Sequence, residues 1–198
     1  TFLLSLTFLF LFSGSVYGQE EVKKEYWDNG KLKTEIHYKN GKQDGLTTVW
    51  YQSGKKSMET PYKDGKKEGL QTYYYKNGGK IETHFKNGKE VLKTRWYKSG
   101  EKMFETPYKN EKQEGLRTFY SETGKKEIET HYKNGKQEGL QTVYSETGKK
   151  RMETDFKNGN PDGLETKWYE TGKKETETHY KNGKQDGLET QWFKDGEK

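Results

Sequence analysis

Cysteine is absent from the 198-residue chain, so neither a disulfide framework nor thiolate chemistry is available to it. Aliphatic side chains are scarce. Past Gly18 the chain is poor in Leu, Ile and Val and rich in Lys, Glu, Thr, Gly and Tyr. So little apolar surface does not offset the entropy of ordering, and composition alone reads as disorder. A charge of one sign is lacking too. The 37 Lys and Arg and 31 Asp and Glu are interspersed and leave a formal +6. That mixture predicts no strong field and no nucleic-acid partner. Past the leader there is also no helical period, no Gly-rich loop opening a helix, no Ser/His/Asp set outside a repeated unit and no cluster of metal ligands. An active site is a unique constellation, whereas almost every residue type here recurs. The reading is therefore a protein that is not an enzyme and needs no cofactor or metal.

The leader stands apart. Phe2 to Phe12 is apolar except for Ser5 and Thr7, and small or polar residues lead to Gly18, Gln19 and Glu20. This reads as a secretory signal peptide over residues 1–18, cleaved near Gly18. The alternative is an uncleaved anchor, although the run is short of the roughly 20 apolar residues a spanning helix needs. No Cys sits at the cleavage point, which removes a lipoprotein. Thr1 is preceded by neither Met nor a basic segment, so a start upstream is expected. Either way the rest faces an extracytoplasmic compartment: periplasmic, cell-surface or secreted. Residues 19–25 read as a short linker.

What the chain does have is aromatic residues at fixed intervals, 24 of them after Gly18. An aromatic followed by Lys and usually Asn-Gly-Lys begins at Tyr38, Tyr62, Phe85, Tyr108, Tyr132, Phe156 and Tyr180. Such spacing marks a repeat architecture. In the copy that starts at Ile128, two runs alternate with period two: Ile128, Thr130 and Tyr132, then Leu140, Thr142 and Tyr144. Alternation of β-branched and aromatic residues marks half-buried strands. Asn134-Gly135 supplies one turn, Gly139 a second point of positive φ, and Ser145-Glu146-Thr147-Gly148 the return turn. The prediction is an all-β fold: an elongated single-layer antiparallel meander of about seven two-stranded repeats over residues 26–198, on the order of 65 Å long.

The string Tyr-Lys-Asn-Gly-Lys-x-[Asp/Glu]-Gly-Leu-x-Thr-x-[Trp/Tyr] resembles the MORN repeat. The nearest variant is the bacterial form found in the YwqK-type antitoxin family. The resemblance covers roughly Tyr26 to Lys198. It places the family's aromatic on the seven positions above and its second glycine on Gly45, Gly69, Gly115, Gly139, Gly163 and Gly187. It implies an antitoxin or immunity role in which the scaffold occludes a toxin. Two copies depart from it. Lys86-Asn87-Gly88-Lys89 runs into Glu90-Val91-Leu92 without a second glycine, and Glu111 stands where a turn Gly belongs. Between Phe85 and Glu111 a less regular stretch is expected, with a change of curvature; simple drift in a tolerant loop is the other reading.

The candidate binding face is aromatic: Tyr38, Trp50, Tyr62, Tyr74, Phe85, Trp96, Tyr108, Tyr120, Tyr132, Tyr144, Phe156, Trp168, Tyr180 and Trp192 are all expected to point the same way. The bland alternative is that these rings are the only core the fold has. Varied positions Val49, Tyr73, Arg95, Phe119, Val143, Lys167 and Gln191 then lie on the opposite face and suit a protein partner. His37, His84, His131 and His179 recur two repeats apart, roughly 19 Å, too far to share a metal. Glu35, Glu59, Glu82, Glu105, Glu129, Glu153 and Glu177 form a stripe that reads as cross-strand pairing with Lys. Lysines fringe both turn edges and could meet anionic headgroups at about 1 kcal/mol each. The expected partner is a protein, a toxin under the resemblance. A polysaccharide or an anionic membrane surface is the alternative.

Overall fold

The computed structural model describes residues 18–197, every regular element of which is a β-strand. The expected signal peptide lies outside the described residues apart from Gly18. Contacts divide the chain into two compact units, the first ending at Lys89 and the second starting at Glu90. The first unit contains β1 (Glu20–Tyr26), β2 (Leu32–Lys39), β3 (Lys42–Gln43), β4 (Gly45–Trp50), β5 (Lys56–Lys63), β6 (Lys66–Lys67), β7 (Gly69–Tyr74) and β8 (Lys80–Lys86). The second contains β9 (Lys89–Trp96), β10 (Lys102–Lys109), β11 (Lys112–Gln113), β12 (Gly115–Tyr120), β13 (Lys126–Lys133), β14 (Lys136–Tyr144), β15 (Lys150–Lys157), β16 (Asn160–Trp168), β17 (Lys174–Lys181), β18 (Lys184–Gln185) and β19 (Thr190–Gln191). Within each unit neighbouring strands pair antiparallel in chain order, the predicted meander.

Two kinds of turn make the meander. The first is a two-residue loop with both residues at positive φ, as at Asn134 (52°) and Gly135 (82°), the conformation that matches strand twist. Lys133 pairs with Lys136 across it. The second is a three-residue loop. Ser145 N–H donates to the Lys149 carbonyl at 2.8 Å and Gly148 N–H donates back to Ser145 at 2.9 Å, with Gly148 at φ 84°. Past the first turn of the copies that carry a second glycine, the strand has extra residues. Thr130 pairs with Gln141 but Tyr132 pairs with Gln137, so His131 alone faces three residues. The bulge gives Gly139 its positive φ.

Residues 19–25 are not a linker. Glu20–Tyr26 is β1, paired along its length with β2. The segment has almost no apolar alternation, so only its partner strand reveals it. The irregular stretch takes a definite form. β9 runs unbroken over eight residues without a glycine, whereas Asp44, Glu68 and Glu114 interrupt the corresponding strand before Gly45, Gly69 and Gly115, and β14 and β16 run through Gly139 and Gly163. Glu111 occupies the turn at φ 63°, a left-handed conformation that disfavours a side chain.

The core is not aromatic. Among the described residues Phe85 is the only buried apolar side chain, while a threonine is buried in every strand of six or more residues from β4 to β17; Thr60 and Thr106 are 1% exposed. A short β-branched side chain at mid-strand is roofed by the longer chains on the strands either side. Several of those chains also satisfy its hydroxyl: Gln71 Nε2 donates to Thr60 Oγ1 at 2.8 Å, Gln141 Nε2 to Thr130 Oγ1 at 3.1 Å, and Thr154 Oγ1 donates to Glu165 at 3.1 Å. Both edges are tied from one repeat to the next. At the first turns an acidic side chain accepts from a backbone N–H one repeat on, as Glu68 from Asn87, Glu114 from Asn134 and Glu138 from Asn158. At the second turns Tyr51, Tyr97 and Tyr169 hydroxyls donate to the carbonyls of Tyr74, Tyr120 and Trp192, and Lys125 and Lys149 reach the carbonyls of Glu146 and Glu170.

Candidate binding faces

Register decides which side chains share a face, because residues paired across antiparallel strands point the same way. Ile128 pairs with Val143, Thr130 with Gln141 and Glu129 with Thr142. Tyr132 therefore lies with Ile128, Thr130 and Val143, whereas Tyr144 lies with Glu129 and Thr142. The expected single aromatic face is corrected. In the first unit Tyr38, Tyr62 and Phe85 occupy one face, and Trp50 and Tyr74 the other. In the second unit Tyr108, Tyr132, Phe156 and Tyr180 occupy one face, and Trp96, Tyr120, Tyr144, Trp168 and Trp192 the other. The cause is the two-residue turn, which pairs residue i with i+3 and so sets even positions of one strand beside odd positions of the next. Phe85 is buried and the other thirteen rings are half-buried.

On the first-aromatic face the varied second-strand positions meet first-strand residues that sequence alternation had set on the opposite side. In the first unit Thr34, Val49, Met58, Tyr73 and Ile81 lie side by side in register. In the second unit Arg95, Phe104, Phe119, Ile128, Val143, Met152 and Lys167 do the same. Each unit thus carries a half-exposed apolar stripe running across its strands. Phe104 and Phe119 rings stand 5.7 Å apart, and the Arg117 guanidinium lies 4.4 Å from the Phe119 centroid. Cations also cap the adjacent ring row: Lys67 lies 4.6 Å from the Phe85 centroid and Lys93 5.4 Å from that of Tyr108.

The other face repeats one motif. Lys56 Nζ donates to Glu59 Oε1 at 2.5 Å and Tyr74 Oη to Glu59 Oε2 at 2.7 Å; Lys126 and Tyr144 bracket Glu129 at 2.6 and 2.5 Å. Lys102 pairs with Glu105, Lys150 with Glu153 and Lys174 with Glu177. Hydrogen bonds from Lys56 and then Tyr74 hold Glu59 below the ordinary carboxylate value. Burial pushes Glu129 up, but the Lys126 and Tyr144 hydrogen bonds outweigh it. Tyr144 is pushed up to about 12, first by its bond to Glu129 and then by burial. The Glu stripe is thus occupied by structural pairing.

At the first-turn edge of this face, lysines oppose one another across the turns: Lys63 with Lys66, Lys109 with Lys112, Lys133 with Lys136 and Lys181 with Lys184. Beside them run exposed Leu46, Leu70, Leu116 and Leu140. No group of His, Asp or Glu among the described residues could hold a metal ion, and the four histidines fall in separate repeats. No described helix is long and apolar enough to cross a membrane.

Open antiparallel repeats with a uniform ion-paired face and a varied apolar face define a binding scaffold, a type of fold that is typically non-enzymatic. The chain belongs to the MORN repeat variant family, which it matches over residues 22–40, 43–64, 67–87, 113–134, 137–158 and 161–182, more than half its length. The matches omit 88–112, the stretch with the continuous β9 and left-handed Glu111, so six of the seven copies read from the sequence are matched. MORN repeats are general binding modules, often for proteins or membranes. No curated protein matches the chain.

Proposed function

We propose that this protein is an exported, non-enzymatic scaffold that docks a protein partner on the face carrying the apolar stripes, and that neutralising a toxin by occlusion is one form of that role. The observation supporting it is the half-exposed, non-repeating row Phe104, Phe119, Ile128, Val143 and Met152 between Arg95 and Lys167. An identical unit repeated along a sheet recognises nothing in particular, whereas a row that changes from strand to strand supplies specificity. Export rests on the leader. Affinity capture from native extract tests the reading, with wild type beside Phe119→Asp and Lys133→Glu/Lys136→Glu. A stoichiometric protein lost with the first variant and kept with the second supports it; one kept by both sinks it.

A second reading has its own observation, the opposed lysines beside exposed leucines at the first-turn edge. Such an edge suits an anionic membrane surface. Flotation with anionic vesicles tests it, and binding unmoved by salt or by Lys133→Glu/Lys136→Glu would exclude it. A polysaccharide loses its single aromatic platform, since within each unit the rings are divided between two faces.

A further inference from the structure

β1 is the outermost strand of its unit; among the described strands it pairs only with β2. Asn40 N–H donates to the Gln19 carbonyl at 2.9 Å, and Lys39 spends its own backbone on Lys42 across the turn. Hydrogen bonding alternates along an antiparallel pair, so Glu21, Lys23 and Glu25 direct their backbone at β2. Glu20, Val22 and Lys24 direct theirs outward. Val22 is 44% exposed. A free edge of this kind is a template for another strand.

The residues on that edge read Glu20-Glu21-Val22-Lys23-Lys24, a run whose charges invert about Val22. We propose that β1 pairs antiparallel with β1 of a second copy, two-fold symmetric about Val22. The outward backbone groups then meet in phase, Val22 opposite Val22 and Glu20 opposite Lys24. Glu21 falls opposite Lys23 between them. All four cross-strand charge pairs are opposite in sign. A register centred on Lys23 would set that residue against itself and Glu21 against Glu25, and one centred on Glu21 would set two carboxylates together. Charge therefore selects one register from those that backbone phase allows.

Contacts inside the unit extend the match. Lys24 Nζ already lies 2.9 Å from Glu35, and Lys39 Nζ 3.5 Å from Glu20. Joined across the axis they form one alternating row: Glu35, Lys24, then Glu20 and Lys39 of the second copy. The contact is isologous and closes as a dimer. β19, the last strand of the second unit, has no such inverted charge run and supplies no equivalent match.

Sedimentation velocity of the purified protein over a range of concentrations is the test. A species of twice the single-chain mass is expected, and its share falls as salt rises. Lys23→Glu/Lys24→Glu and Glu20→Lys/Glu21→Lys should each be monomeric, and mixing them should restore the double mass, because every opposed pair is again opposite in sign. Val22→Pro removes an outward N–H without touching the β2 ladder and should also be monomeric, with an unchanged circular dichroism spectrum. A wild type that stays monomeric, charge-reversed variants that still dimerise alone, or a mixture that fails to associate would each overturn the proposal.

Discussion

The ion-paired face and the apolar face are built on the same strands, yet one copies itself from repeat to repeat and the other does not. Glu59 with Lys56 and Tyr74 recurs as Glu129 with Lys126 and Tyr144. Across the sheet from Glu129, the row changes from Phe119 to Ile128 to Val143 to Met152. Uniformity marks what every copy needs in order to fold. Variation marks positions the fold leaves open, and there a partner can be discriminated. Between the two faces the buried threonines belong to both, so this sheet is stabilised through its middle rather than by a second layer.

That comparison breaks most severely at the threonine row. Thr154→Lys forces a charge into a site 2% exposed and should cost about 3 kcal/mol or more in chemical denaturation; a loss under about 1 kcal/mol would mean the row is not the core. Phe119→Ala on the apolar face removes a half-buried ring and its stacked Arg117 and should cost about 2 kcal/mol, more than any single change on the ion-paired face.

Effects of about 1 kcal/mol come next. Thr106 Oγ1 is buried without a partner, so Thr106→Val should stabilise by about 1 kcal/mol, whereas Thr130→Val loses the Gln141 bond and should destabilise by a similar amount. Glu111→Gly should raise the melting midpoint, because glycine adopts φ 63° without the side-chain strain of about 1 kcal/mol.

The smallest effect belongs to the ion-paired face. Glu129→Gln should cost under about 1 kcal/mol while bringing the Tyr144 phenol down from about 12 toward its ordinary 10.0, read by ultraviolet titration. The signs with pH follow. Glu59 and Glu129 are depressed on folding, so their contribution is present above the ordinary 4.5 and disappears as pH falls through their folded values. Tyr144 is raised, so its contribution is present below 10.0 and disappears as pH climbs toward about 12.

Much of the fold was legible in residue order. Aromatic spacing announced the repeat, Asn-Gly placed the first turns, and period-two alternation identified the strands. The candidate site was only half legible. Tyr132 and Tyr144 share even numbering, which suggests one face, but Lys133 pairs with Lys136 across a two-residue turn and inverts that parity. Counting through the turn would have separated the two rings. β1 was illegible for a different reason: Glu20–Tyr26 carries the charges of a linker and becomes a strand only because β2 offers it a ladder.

Sequence by itself determined that this is a helix-free repeat of the MORN variety with turns at Asn-Gly and at the Ser-Glu-Thr-Gly type of return loop, because φ preference and local alternation act within a few residues. Tertiary structure alone decided that threonine and not aromatic side chains forms the interior, that the rings of each unit divide between its two faces, and that Val49 and Tyr73 in the first unit, and Phe119 and Val143 in the second, each join an apolar row. Those outcomes depend on which residue of one strand lies opposite which of the next, and register is a property of paired strands rather than of any segment alone.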